Sequence, residues 1–278
     1  MEISCRICES KELIEFFVGD IPLIRCKNCG IVYNKKMPSN EFLKEYYKDR
    51  YNISETDSKG FEKRRIFRFP EQIDLVSKIM EYKNPSATLL DIGCDRGFFL
   101  DEARRFGFKP VGIEPLEEAR HYCNSIGLEV YDDIERVIGT FDIITMWHSL
   151  EHHLTPVSSL NRIKNLLKND GFVFVRVPAF DCLWRKLFGK KWIWFQPENH
   201  YFHYTIGSLK NLLEISGFTV LKIEHRKPNN RLTKSYNNLS NKTFKKFFKH
   251  RTSKKSELSR IYQDITGVEI YAAAVKKQ

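Results

Sequence analysis

The tightest constraint on this chain is an alternation that starts at Ala87. Short apolar runs at Thr88–Ile92, Pro110–Glu114, Leu128–Tyr131, Phe141–Trp147, Gly171–Val177, Phe218–His225 and Val268–Val275 alternate with amphipathic stretches near Phe98–Phe106, Leu116–Ser125, Val157–Leu167 and Ser208–Ser216. Strands interleaved with helices predict an α/β domain on a mostly parallel sheet. The first run ends in Asp91-Ile92-Gly93-Cys94-Asp95-Arg96-Gly97, and a helical pattern follows at once. Glycines there let backbone approach a ligand beyond the carboxyl end of the sheet. The second strand ends in Glu114, 17 residues after Gly97, where a carboxylate can accept both hydroxyls of a ribose. A nicotinamide-binding turn would want G-x-G-x-x-G, a spacing this turn lacks.

The front of the chain obeys a different constraint. Cys5-x-x-Cys8 and Cys26-x-x-Cys29 are separated by 17 residues. Each pair forms a knuckle presenting two thiolates, and a hairpin between them predicts a tetrahedral zinc site in a zinc-ribbon-like module over 1–35. Four cysteine ligands leave no open position, so the metal is structural and folds a segment too short for its own core. Cys94, Cys123 and Cys182 are scattered and read as packing residues. The first residues lack a basic-then-apolar signal region and no apolar run reaches about 18 residues, so a cytoplasmic protein is expected. Residues 36–86 carry helical apolar spacing and read as a linker or lid.

Beyond the glycine turn, several motifs follow in register. Tyr131-Asp132-Asp133 lies after the third strand, and Phe141-Asp142-Ile143-Ile144-Thr145-Met146-Trp147 runs into His148-Ser149-Leu150-Glu151-His152. Leu166-Leu167-Lys168-Asn169-Asp170-Gly171 reads as a turn into strand five, and Pro197-Glu198-Asn199-His200 precedes Ser208-Leu209 and Ser216-Gly217-Phe218. Together these resemble the class I S-adenosylmethionine-dependent methyltransferases, over roughly residues 87–226 and 267–276. The four-cysteine module also recurs ahead of such domains, in bacterial enzymes associated with sugar and cell-surface polysaccharide pathways. The family turn is D-x-G-x-G-x-G, and Asp95 stands here at the middle glycine. The resemblance implies a Rossmann-like seven-stranded sheet with the last strand antiparallel, within a domain over 87–278. It implies S-adenosylmethionine as cofactor, bound by Asp91, Gly93, Gly97, Glu114, Asp132 and Asp133, with Trp147 flanking the adenine.

Methyl transfer is an in-line displacement that needs an aligned acceptor and sometimes a base. His148, Glu151, His152, His200 and His203 fall in loops expected above the sheet, and His148, His152 and His200 are the catalytic candidates; a capping or orienting role is the alternative for each. The H-x-x-E-H spacing of 148–152 also matches a metallopeptidase signature, here a chance match inside another pattern. Some related enzymes place E-x-x-E-H at this position around a divalent ion, and His148 breaks that pattern, which counts against a metal. The stretch Leu183 to Phe195 interleaves three tryptophans with basic residues and reads either as a packed lid or as a surface that stacks on a sugar or base and pairs with phosphate. The expected acceptor is a small molecule, a sugar or glycan-related one foremost. The alternative is an RNA gripped by the zinc module and the basic segment.

Net charge sharpens that choice. The chain is formally +11, yet Arg226 to Lys255 holds eleven Lys or Arg and no acid, and the remaining residues carry 35 of each sign. The excess therefore belongs to an insertion over 226–263, not to the whole molecule. Phe244, Phe247 and Phe248 share a helical face among its lysines. An anionic membrane, at the inner face of the cell membrane, is one partner for 226–255. Nucleic-acid phosphate is a second, and packing on the sheet edge is the structural alternative.

Overall fold

The computed structural model describes residues 4–39, 42, 71–226 and 268–277. The expected helices within 43–70, and the basic insertion over 226–263 beyond Arg226 with its membrane or nucleic-acid contact, lie outside the described residues.

The main sheet has seven strands in the order β10-β11-β8-β7-β4-β5-β6. These are β4 (Thr88–Ile92), β5 (Lys109–Ile113), β6 (Glu129–Tyr131), β7 (Phe141–Trp147), β8 (Leu167–Pro178), β10 (Phe218–Arg226) and β11 (Glu269–Lys276). The five strands from β4 to β8 run parallel, and β11 pairs antiparallel with both β8 and β10. The seven-stranded sheet with an antiparallel last strand is thus present as expected. Successive strand residues point to opposite faces, and both faces are covered. Leu89, Ile143 and Phe174 pack with a helix over 71–80 (α1), α2 (Phe98–Arg105) and α3 (Glu117–Ser125). Leu90, Ile144 and Val173, their next-door neighbours, pack with α4 (Pro156–Leu166) and α6 (Ile206–Ile215). Two buried faces explain why these strands read as continuous apolar runs.

One expected turn is absent. Lys168 to Gly171 belongs to β8, which begins directly after α4, and the β7–β8 register shifts between Phe141 and Ile143. The polar residues of that irregularity are anchored, since Lys168 Nζ donates to Asp142 Oδ2 at 2.8 Å and Lys83 Nζ to Asp170 Oδ2 at 2.6 Å.

A second sheet forms at the front from β1 (Leu13–Val18), β2 (Ile21–Cys26), β3 (Val32–Asn34) and β9 (Phe202–His203), all antiparallel. Its fourth strand comes from the far half of the chain. Leu23, Ile31 and Val32 share one continuous apolar core with Leu209 and Leu212 of α6. Asn34 stitches the junction: its Nδ2 donates to the carbonyls of Pro197 (2.6 Å) and His200 (3.2 Å), while its Oδ1 accepts from His203 Nε2 (3.0 Å). A short helix, α5 (Leu183–Phe188), lies between β8 and this junction. No helix among the described residues is long and apolar enough to cross a membrane.

Three hydrogen bonds, two of them buried, at about 1 kcal/mol each give Asn34→Ala an expected loss of about 3 kcal/mol in urea unfolding. A loss below about 0.5 kcal/mol would mean the two sheets hold together without this residue.

Candidate functional site

The turn after β4 is built by backbone that ordinary residues avoid. Gly93, Asp95 and Gly97 have φ of 78°, 50° and 67°, all in the left-handed region. A Cβ on Gly93 would sit 2.8 Å from Ser149 Oγ, and one on Gly97 2.5 Å from Leu128 Cδ1. Asp95 occupies the family's middle-glycine position, and aspartate is among the few side chains that tolerate left-handed backbone. The departure seen in the sequence is therefore conformationally silent.

Glu114 pins this turn to the end of β5. Its Oε2 accepts from the Asp95 N–H and its Oε1 from the Leu116 N–H, each at 2.9 Å. Burial, reinforced by the Asp95 charge, pushes its carboxyl up to about 7 against those backbone donors. Asp91 is fully buried inside β4, accepts from Thr145 Oγ1 at 2.6 Å, and is likewise pushed up to about 7 by burial.

The two acidic residues after β6 separate in the structure. Asp133 Oδ1 accepts from the Glu135 N–H and caps the short helix Ile134–Arg136. Asp132 lies 3.1 Å from Arg136. Trp147 has Phe99 edge-on at 5.5 Å and Tyr271 stacked at 6.3 Å.

Past β7 the chain enters a cluster of charge. His148 takes a left-handed φ of 53° and stacks on Trp194 with ring centres 4.9 Å apart. Its Nε2 lies 3.0 Å from Glu269 Oε1 and its Nδ1 3.4 Å from Glu151 Oε1. Burial opposes its charge, but these two carboxylates prevail and raise it to about 9. Glu269 also accepts from Arg176, at 2.9 Å from Nε and 2.5 Å from Nη2, and Arg176 reaches Glu71 at 2.8 Å. Arg176 and Glu269 escape the sequence reading. The available signal was a lone charge in each apolar strand, Phe172-Val173-Phe174-Val175-Arg176-Val177 and Glu269-Ile270-Tyr271-Ala272-Ala273-Ala274.

Glu151 is 1% exposed. Burial works against its charge, yet His148, His152 and His200 around it hold the carboxyl down at about 2. The rings of His152 and His200 meet edge-on at 4.8 Å, so the structure brings these two candidates together. His200 is lowered to about 4, mainly by burial. His203 is turned away into the sheet junction at Asn34 and is lowered by burial to about 3.

At the front, Cys5 and Cys29 place their sulphurs 3.7 Å apart, and Cys8 and Cys26 theirs 3.6 Å apart. A zinc tetrahedron with Zn–S near 2.3 Å has edges of about 3.8 Å, so the four thiols fit the ion. The Ile7 N–H points at Cys5 Sγ at 3.4 Å, which fixes one knuckle.

Comparison with known proteins agrees with this geometry. A family model described as a methyltransferase domain matches residues 63–223, more than half of the chain. A ubiquinone biosynthesis O-methyltransferase of Nitrosococcus oceani is 38% identical over 97 residues, a match covering 31% of this chain and 41% of that protein. This chain therefore spans less than half the length of that relative. A solved S-adenosylmethionine-dependent methyltransferase from Archaeoglobus fulgidus superposes with a TM-score of 0.53 at 18% identity, covering 86% of this chain and all of that one. The 1,6-didemethyltoxoflavin-N1-methyltransferase of Burkholderia thailandensis, solved with S-adenosylhomocysteine, gives 0.56 at 15% identity over 95% of this chain and 99% of that one. Both superpositions concern the fold.

Gly93→Ala forces a side chain into left-handed backbone, at roughly 1–2 kcal/mol, and onto Ser149. Calorimetry should show about tenfold weaker S-adenosylmethionine binding, whereas Asp95→Gly should leave it within about threefold. A carboxylate accepts hydroxyls best when ionised, and with the Glu114 carboxyl near 7 the ionised form is lost as pH falls, so a ribose expected on Glu114 is held less well. Affinity should therefore weaken from pH 8 to pH 6; an affinity unchanged across that range would remove Glu114 from the cofactor site.

Proposed function

The chain belongs to the methyltransferase-domain family, and from that premise we propose that it transfers the methyl group of S-adenosylmethionine to the hydroxyl oxygen of a small-molecule acceptor. The observation that carries this reading is the turn after β4 tied to Glu114: left-handed backbone leaves room for the cofactor, and the strand-end carboxylate accepts its ribose hydroxyls. Asp132 takes the adenine amino group, while Asp133 serves as a helix cap. Asp91 holds the turn from beneath through Thr145, and Trp147 forms the aromatic floor with Phe99 and Tyr271.

In the transfer, an acceptor oxygen lone pair attacks the methyl carbon as the carbon–sulphur bond breaks. S-adenosylhomocysteine leaves, and the acceptor's proton is released. The protein aligns the two and keeps water out. His148, held protonated between Glu151 and Glu269, orients the loop and takes no proton at neutral pH. Glu151, His152 and His200 instead present lone pairs toward the acceptor's oxygen. The relative from Nitrosococcus oceani, an O-methyltransferase, supports oxygen as the site of transfer. A sugar or glycan-related alcohol is one member of the acceptor class. Zinc bound by the thiolates of Cys5, Cys8, Cys26 and Cys29 would hold the front sheet together, and through β9 the strap that carries His200.

Incubating the protein with methyl-labelled cofactor and fractionated cell extract tests this. Label should enter a small-molecule fraction as an alkali-stable methyl ether. Label in RNA would replace the reading with nucleic-acid methylation, and uptake by no fraction would contradict the activity.

A further inference from the structure

Ser149 stands directly before the short helix Leu150–His152, where a serine ordinarily caps with its hydroxyl. Its side chain makes no such bond. Instead its Oγ lies 3.2 Å from His153 Nε2 and faces the turn after β4, where a Cβ on Gly93 would meet it at 2.8 Å. On the other side of the ring, His153 Nδ1 lies 2.7 Å from Ser159 Oγ of α4. Ser159 gives its one hydroxyl proton to the Thr155 carbonyl at 3.2 Å. It therefore accepts from Nδ1–H, Nε2 keeps its lone pair, and the Ser149 hydroxyl donates to Nε2. Burial holds His153 down at about 4, so the ring stays neutral and this order of protons is kept. Ser149 has no second proton, so toward the turn its Oγ only accepts. The residue is nearly buried, and water competes little for that lone pair.

Strand order says which part of the cofactor arrives there. β7 flanks β4 on one side, while β5 and then β6 follow on the other. With the adenine toward Asp132 after β6 and the ribose on Glu114 after β5, the methionine portion extends over β4 toward β7. From β5 to β7 is two strand spacings, about 10 Å, and the loop reached is the one that carries Ser149. The turn itself has few donors to offer. The N–H groups of Gly93 and Cys94 go to the Ile113 carbonyl, that of Asp95 to Glu114, and that of Gly97 to the Cys94 carbonyl. An anion finds none of these four amides free, whereas an ammonium group finds Ser149 Oγ.

We propose that Ser149 binds the α-ammonium group of S-adenosylmethionine, and that His153 and Ser159 are positioning residues that keep its Oγ an acceptor. The assignment rests on the methyl-transfer reading and extends it to the amino-acid end of the cofactor. His153 and Ser159 touch no ligand; they act through the Ser149 hydroxyl alone.

The test is calorimetry on the full chain at pH 8, where the Glu114 carboxyl near 7 is ionised. The ligands are S-adenosylhomocysteine and its deamino analogue, which keeps every group but the ammonium. A hydrogen bond to a charged group is worth roughly tenfold to a hundredfold in affinity. The natural chain should therefore prefer S-adenosylhomocysteine by more than tenfold. Ser149→Ala should lose about tenfold of that preference and bind the analogue as the natural chain does. His153→Leu should lower the same preference, because Ser149 is then free to turn. A hydroxyl that served packing alone would, when removed, weaken both ligands equally. Should a variant not fold, nitrogen-15 NMR of the natural chain decides, with a neutral His153 carrying its proton on Nδ1. Equal affinity of the natural chain for both ligands, an unchanged preference in either folded variant, equal weakening of both ligands, or a proton on Nε2 would each overturn the proposal while leaving the cofactor reading intact. Binding of neither ligand by the natural chain would overturn that reading as well.

Discussion

A charge withdrawn from water must be matched, and that requirement organises the carboxyl edge of this sheet. Arg176 on β8 and Glu269 on β11 are 5% and 1% exposed. Breaking such a pair typically costs 3–5 kcal/mol because one charge is left unanswered. The pairing therefore specifies register as well as stability. β11 is held antiparallel on β8 with Tyr271 opposite Arg176 and Glu269 opposite Pro178. A slip of one residue would turn Glu269 to the other face and strand the guanidinium. From this fixed pair the line of charge continues through His148 to Glu151 and sets the left-handed loop that leaves β7.

The front sheet is tied into the same region. β9 gives it a fourth strand, and just before that strand His200 lies close enough to Glu151 to help lower its carboxyl, while the Asn199 carbonyl meets His152. The Tyr201 N–H donates to the Glu151 carbonyl at 2.8 Å, and the Asn34 N–H to the Tyr201 carbonyl at 3.0 Å. A perturbation at the cysteines thus has a short covalent and hydrogen-bonded route to the histidine pair. The turn after β4 sits on the other side of β7, where a Cβ on Gly93 would collide with Ser149 Oγ. One loop, Trp147 to His153, borders both.

Much of the fold was legible in the sequence because both faces of the sheet are buried. Apolar runs such as Leu89-Leu90 and Ile143-Ile144 leave little doubt about strands, and the observed ends fall within about two residues of most expectations. β8 is the exception: Lys168-Asn169-Asp170 has the composition of a turn, yet it begins the strand, with Lys168 paired to Asp142 and Asp170 to Lys83. β9 was invisible for another reason. Two residues, Phe202 and His203, carry no periodicity, and their strand exists only because β3 offers an edge. At the site, the turn of Gly93 and Gly97 against the strand-end Glu114 was readable as a local arrangement, as was the gathering of Cys5, Cys8, Cys26 and Cys29. The individual roles of the histidines were not, since these depend on which carbonyl or carboxylate each ring meets after folding. His148, His152 and His203 look alike in sequence, yet one meets two carboxylates, one a main-chain carbonyl and one an asparagine.

In the proposed function the cofactor lies across the turn after β4 with its ribose on Glu114. Calorimetric titration of S-adenosylhomocysteine into the natural chain and into Glu114→Ala tests this most directly. The expected result is one molecule bound per chain and no measurable binding in the variant, with both proteins melting cooperatively. An absence of binding by the natural chain, or equal affinity in a folded Glu114→Ala, would contradict it.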